Sequence, residues 1–585
     1  MSDSSTEDYP RFGVLFVAGF ADQGPGTAVA SLAGALYGWF FRWNEGARPG
    51  EHRQPTLTGA TLASAGGDGP AHVTLTVPVN LPDNNVDTGD DEARWLLAES
   101  SWASVFSPPK FLGVARWIWK VSTCLLVLQF LIPMRRHWYR SKRADKPWHR
   151  RLADRIMVGC YLPLMAVAAM ASVLLSLALL VLAVLEKLPI PRIDKAVRWV
   201  AINISALIGD SYMLAHCPVQ FAAMCTQVAD DLRWLQERCE RVVIVAHSQG
   251  AAIAHQVLKD ASGKTDDNAG LTGVRGFITI GQGISKFNVL WRMDWHPGAS
   301  KSAWWSRFFV TTGMVLAGLP ALGLLVRHWI STTIVRNLVS LPFDVVLPVV
   351  GFTVIASGVF IAIHVICDKP ECEPTLPYDE FWWSDYYASA DPVSNGPFVS
   401  NSGETRQGDG LPDSCNQVYN SSSILFDHNR YLRNQDQLLP KLINDLSAAA
   451  YSDSFRGADI VGCDVLDKVR TRRHRLVLSL ISTRIVMVGL AVGLWQLNLG
   501  PVLKDPMNRL VDLLAPHTAM GDGFVRFLAA VTITVVVYLA VVAIWRIAEG
   551  RVMTRFFDTA HQAAANELPR PSGPAASCET SVPVG

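Results

Sequence analysis

The chain has 585 residues, half of them hydrophobic and 18% charged, and its 52 Lys+Arg balance 51 Asp+Glu to a net charge of +1. That balance argues against nucleic acid or another polyanion as partner, and so apolar a composition points to membrane segments. Ten cysteines without paired spacing exclude a disulfide framework, and Cys367 and Cys372 have no second Cys or His pair beside them, so neither a metal nor an organic cofactor is expected.

In chain order, Met1–Pro10 is acidic and polar, with no basic-then-apolar signal peptide expected. Gly13–Gly19 (GVLFVAG) is a continuous apolar strand ending in glycine, and Thr27–Trp43 reads as a helix. Val73–Val79 alternates as a strand should, and Trp95–Ala98 opens another. Trp117–Ile132 is the first apolar run, short and accompanied by Arg116 and Lys120; Ile156–Leu185 is far longer and uncharged. Phe221–Arg238 and Ala251–Asp260 read as helices around the strand Arg241–Ala246, and Gly276–Ile280 is the next strand. Phe308–Val326 and Val345–Ile363 each match the roughly 20 helical residues that cross a hydrocarbon core. Phe381–Val393 gives an aromatic strand and a turn, and Leu432–Ala448 a helical stretch. Leu476–Leu499 holds Arg484, which must snorkel or find a partner, and Phe527–Trp545 is the last apolar run. From Gln562 to Gly585 the composition is that of a disordered tail.

Strands alternating with helices imply an α/β fold, a mostly parallel sheet with helices on both faces. The apolar runs fall in pairs, so each pair returns the chain to its starting side. One sheet is therefore expected from pieces 1–112, 190–307 and 367–467. Transmembrane hairpins 113–189, 308–366 and 468–555 would interrupt it, about six segments in all, with 556–585 as tail.

The segment Val242–Ala252 (VVIVAHSQGAA) runs from an apolar strand through Ala246-His247-Ser248-Gln249-Gly250 into small residues opening a helix. This is the strand–tight turn–helix form of a nucleophile elbow, with A-x-S-x-G in place of G-x-S-x-G. Small residues two before and two after Ser248 let strand and helix approach closely, which exposes the hydroxyl on the turn. The helix N-terminus and the Gln249 amide then face the place where an oxyanion would form. The bland alternative is a buried turn serine. His247 is no candidate base, because neighbouring side chains on a tight turn diverge, and His255 lies two helical turns on, roughly 10 Å away.

On these residues the chain resembles the lipase-like branch of the α/β-hydrolase superfamily, over its non-membrane portions only. Val14–Gln23 (VLFVAGFADQ) is similar to the strand whose following residue offers a backbone N–H to the oxyanion hole, which implies Phe20 as donor; Ala18 replaces the family's histidine. Phe277–Gly283 (FITIGQG) and Asp391-Pro392-Val393 are similar to the late strand and acid segment. The family's order is Ser, then Asp or Glu, then His. Of the later histidines only His428 sits in a soluble piece, and D-H-x-x-Y there resembles the histidine loop. The resemblance thus implies Ser248 as nucleophile, His428 as base and Asp391 as acid, with Asp385 the alternative acid within the strand. Glu99-Ser100-Ser101-Trp102 also ends a strand, where lining the pocket is the alternative and packing the expected role.

The expected activity is a membrane-bound serine hydrolase cleaving a lipid or other hydrophobic carboxylic ester through an acyl-enzyme, with the bilayer as partner. Trp291, Trp295, Trp304 and Trp305 before Phe308, and Trp382 and Trp383 after the next pair, suit an interfacial belt. The alternatives are a membrane-anchored hydrolase of soluble esters, thioesters or amides, and an inactive scaffold. Orientation is contested. Arg135–Arg155 holds nine Lys/Arg and by parity lies across the membrane from the hydrolase, whereas Lys468–Arg475 puts five more on the hydrolase side. Both share one side if Trp117–Ile132 lies in the interface and Ile156–Leu185 itself folds as a hairpin. The hydrolase pieces are expected on the cytoplasmic side.

Overall fold

The structure, a computed structural model, describes residues 12–19, 24–45, 54–62, 69–78, 92–102, 109–142, 147–185, 194–262, 272–293, 376, 381–388, 391–394, 396–398, 411–420, 427–451, 461 and 463–496, with isolated residues between 539 and 556. Phe20, Trp295, Trp304, Trp305, Cys367, Cys372, Phe308–Val326, Val345–Ile363 and most of Phe527–Trp545 and the tail lie outside them.

The described strands form one eight-stranded sheet: β1 (Phe12–Val17), β2 (Thr56–Thr61), β3 (His72–Pro78), β4 (Glu92–Ser100), β5 (Arg241–His247), β6 (Val274–Ile280), β7 (Trp382–Ala388) and β8 (Ser414–Val418). Their spatial order is β2-β3-β4-β1-β5-β6-β7-β8. β3 pairs antiparallel with β2 and β4, and every pair from β4 to β8 is parallel. Three pieces of sequence thus build a single mostly parallel sheet. The β2 edge is exposed at all six residues and rich in threonine.

Side chains of a strand alternate between faces, and β1 shows what each face packs against. Val14 and Phe16 join one apolar cluster with α1 (Thr27–Glu45), α8 (Leu438–Tyr451) and the start of α9 (Cys463–Gln496). Leu15 and Val17 join another with α5 (Pro218–Gln236), α6 (Gln249–Ser262) and the end of α4 (Asp194–His216). The continuous apolar run of β5 follows, since Val242–Ala246 are all fully buried between the two layers.

Between the first and second sheet pieces stand α2 (Phe111–Lys142) and α3 (Trp148–Leu185). Trp117, Ile118 and Val121 of α2 are buried in a cluster with Ala201 and Ala215 of α4, Leu179 and Ala183 of α3, and a leucine of α7 (Ile284–Met293). Further along, Gln129 accepts a hydrogen bond from Lys286 of α7, and Arg136 donates to the Pro397 carbonyl at 2.9 Å. The described side chains of Trp117, Ile118, Val121 and Gln129 thus pack along the α/β unit. Ile156–Leu185, in turn, sits in one continuous helix and not in a hairpin of its own. Hydropathy cannot tell a helix facing a protein core from one facing lipid, and the buried side chains of α2 give part of its apolar run a packing role.

Among the described residues no helix is long and apolar enough to cross a membrane. Many side chains of α3 and α9, Arg484 included, lie outside the described set. α3 packs extensively against α2, with Leu179 and Ala183 in their shared cluster and an Asp154–His137 contact at 2.7 Å.

Candidate active site

β1 is the strand where the order turns back: β4 lies on one side of it and β5 on the other. In open α/β sheets ligands bind outside the strand carboxyl ends at such a point. Gly19 follows β1 and Ser248 follows β5, so both stand at this crevice.

Ser248 has φ 57°, and no other described non-glycine residue has a positive φ. L residues avoid this region, so the turn is strained and held by its surroundings. What lets it form is the absence of side chains around it. A Cβ on Gly19 would stand 2.3 Å from the Ser248 Cβ, and one on Gly250 would stand 2.3 Å from the Val17 carbonyl oxygen. The Gly283 N–H donates to the Ser248 carbonyl at 2.9 Å, and the Ser248 N–H donates to that of Ile280 at 3.1 Å. Of the small residues that touch the elbow, Gly250 was legible in the motif itself, whereas Gly19 and Gly283 come from other segments and were not.

His428 and Asp391 arrive from the third sheet piece. Asp391 follows the end of β7, and His428 lies on a 3₁₀ turn, Asp427–Arg433, where a loop was expected. Nε2 of His428 is 2.6 Å from Ser248 Oγ, and its Nδ1 is 3.0 Å from both carboxylate oxygens of Asp391. An ionised carboxylate only accepts, so Nδ1 carries the proton and Nε2 is the acceptor for the serine hydroxyl. All three residues are buried. Burial pushes the Asp391 pKa up, but His428, the Tyr431 hydroxyl and the Val393 N–H outweigh it and hold the acid below its ordinary value.

The alternative acid, Asp385, is elsewhere. It lies inside β7, accepts from Thr279 Oγ1 at 2.8 Å and from the Phe398 N–H at 2.9 Å, and makes no described contact with His428. Burial raises its pKa to about 6. The folded state therefore favours its proton, and its charge destabilises the fold increasingly as pH rises from roughly 4 towards that value.

His247 corrects one expectation. Its ring does not diverge from the site; it stacks on the His428 ring with centroids 4.8 Å apart, and its Nε2–H donates to the His428 carbonyl at 3.0 Å. Burial and the neighbouring His428 push its pKa down to about 3, so it is a neutral wall to the imidazole and no base. His255 packs against Trp383, with centroids 5.6 Å apart.

Of the expected oxyanion donors, Gln249 opens α6 directly behind Ser248, and its side-chain amide donates to Ser211 of α4 at 2.6 Å. Phe20 lies outside the described residues, but the ends of its loop are fastened. Trp102 Nε1 donates to the Ala18 carbonyl at 2.8 Å. The buried Glu99 carboxylate accepts the N–H groups of Ala28, Val29 and Gly26 at 2.8, 2.9 and 3.3 Å, capping the start of α1. Ser100 Oγ donates to Asp231 at 2.7 Å. The segment expected merely to pack thus moors the loop next to the nucleophile by hydrogen bonds. No family model, curated protein or solved structure matches the chain.

Proposed function

We propose that the protein is a serine hydrolase of the α/β-hydrolase type, and that it cleaves a lipid or other hydrophobic carboxylic ester. The observation carrying this reading is the chain of contacts from a strained Ser248 hydroxyl through His428 to Asp391. In the first step His428 Nε2 takes the proton of Ser248 as Oγ attacks the ester carbonyl carbon. Asp391 stabilises the imidazolium, and the helix end at Gln249 stabilises the oxyanion. Collapse of this intermediate breaks the bond to the alcohol, which leaves with the proton from His428. Water then repeats the sequence on the acyl-enzyme, releasing the acid and freeing Ser248.

Membrane association is the second part of the reading, supported by sequence and exposure together. Ile156–Leu185 contains no charged residue. Leu152, Ile156, Met157, Leu164, Leu175 and Val181 of α3 are exposed, a face suited to lipid. On this reading α2 is the inner arm against the α/β unit and α3 the outer arm against the bilayer, and the remaining apolar runs insert as hairpins. On the same reading both basic segments sit on the side of the α/β unit, which Arg136 and Arg473 touch, and the positive-inside rule makes that side cytoplasmic.

Labelling by a fluorophosphonate tests the hydrolase directly. The full chain in detergent should react at one serine, and Ser248→Ala should abolish the signal; an unlabelled wild-type protein would leave an inactive scaffold as the reading. Substrate class needs a second assay. A long-chain ester in vesicles should turn over faster than a short water-soluble ester at equal concentration, and the chain should remain in membranes washed with alkaline carbonate. A preference for the soluble ester or a thioester would make the membrane an anchor only.

A further inference from the structure

The 3₁₀ turn brings two side chains to the site, and the mechanism above uses one of them. In a 3₁₀ helix residues three apart eclipse each other, so Tyr431 shares a face with His428; their rings meet edge-on with centroids 6.3 Å apart. The Tyr431 hydroxyl donates to Asp391 Oδ2 at 2.7 Å and accepts the Ala388 N–H at 2.7 Å. Ala388 ends β7, so one oxygen atom ties the acid to the last residue of the strand before it. The other carboxylate oxygen, Oδ1, accepts the Val393 N–H at 2.7 Å. With both oxygens tied, the carboxylate cannot turn about its own axis, and it presents both to His428 Nδ1 at equal distance.

Packing holds the tyrosine as firmly as the hydrogen bonds do. Tyr431 is 1% exposed, and its ring lies over Gly281, where a Cβ would stand 2.6 Å from Cε2. Gly281 has φ +57°. The ring of His247 meets it edge-on at 5.9 Å. The hydroxyl so fixed lies 2.7 Å from Asp391 Oδ2, with the Ser394 side chain beside it.

We propose that Tyr431 is a positioning residue of the Ser248–His428–Asp391 unit, acting through the hydroxyl that fixes the Asp391 carboxylate. The inference rests on the hydrolase reading above and adds a fourth side chain to it. Without the hydroxyl, Oδ2 keeps only the His428 N–H that it shares with Oδ1, the carboxylate is held at Oδ1 alone by Val393, and its aim on His428, hence that of Nε2 on Ser248, loosens.

The test is the rate of fluorophosphonate labelling of the full chain in detergent. Tyr431→Phe removes the hydroxyl and keeps the ring, and labelling should slow about tenfold to a hundredfold, the range of a hydrogen bond to a charged group. In an Asp391→Ala background the same change should have less than about a twofold effect, because its route to the serine is gone. A residue that only supported the fold would slow both backgrounds alike. Equal slowing in both overturns the inference, as does undiminished labelling of Tyr431→Phe. If Tyr431→Phe does not fold, 3-fluorotyrosine at 431 keeps the shape and changes only the acidity of the donor; an unchanged rate would then overturn it. A wild-type protein that does not label at Ser248 overturns the hydrolase reading instead, and the role of Tyr431 with it.

Discussion

Ser248→Ala and His428→Ala are each expected to lower turnover of a reactive ester by about 10⁴–10⁶-fold, and the double variant to lose no more than either alone. The two atoms stand 2.6 Å apart and act in one proton transfer, so removing either removes the step. Asp391→Ala should lose somewhat less, since His428 keeps its tautomer less well but remains in place. Initial rates on one activated ester, with melting temperatures for each variant, decide the matter. Full activity in Ser248→Ala would end the proposed mechanism. Full activity in Asp391→Ala with loss in Asp385→Ala would move only the acid, against the contacts that tie Asp385 to Thr279 and Phe398.

Arg473→Met should destabilise the protein by about 3–5 kcal/mol, the usual cost of leaving a buried charge unpaired. Arg473 of α9 is 2% exposed, and its Nε donates to both oxygens of the fully buried Asp436 at 3.1 and 2.9 Å, with Nη2 adding a further contact. Replacing both partners, as Asp436→Leu with Arg473→Met, should recover most of the loss, because two apolar groups fill the same space without desolvating a charge. Thermal melts in one detergent measure both. A single variant as stable as wild type would mean that water reaches the pair. The pair also bears on how charge was read from the sequence. Arg473 belongs to Lys468–Arg475, counted above as a topological signal, yet it is committed to an internal contact.

How legible the rest was depended on where each element lies in the sheet. β1, β3, β4, β5, β6 and β7 were all visible as apolar or alternating runs, because each buries at least one face. β2 (TLTGAT) and β8 (SCNQV) were not. They are the two edges, and β2 buries nothing, so neither leaves a hydrophobic pattern to find. α4 was missed although its last turns carry Met213 and Leu214 into the core, and α5 was begun at Phe221 although Pro218 marks its first turn. Ser248 was legible because strand, small residues and turn are contiguous. His428 and Asp391 needed the family's order of residues, since nothing local in Asp391-Pro392-Val393 announces a partner 37 residues away. The mooring of the loop at Phe20 by Glu99 and Trp102 spans some 70 to 85 residues and had no sequence signal at all.

The strand order has a consequence for the sequence of events during synthesis. β1, β4, β5 and β6 are neighbours in space and end by residue 280, whereas β7 begins at Trp382 and the base comes at His428. A chain growing from its N-terminus can pair the four central strands and form the serine elbow while more than a hundred residues, and two apolar runs, are still to come. During that interval the nucleophile has neither acid nor base. The enzyme proposed here would thus be harmless to the membrane while its chain is still growing, and acquire its reactivity only when the turn carrying His428 has followed β7 into place.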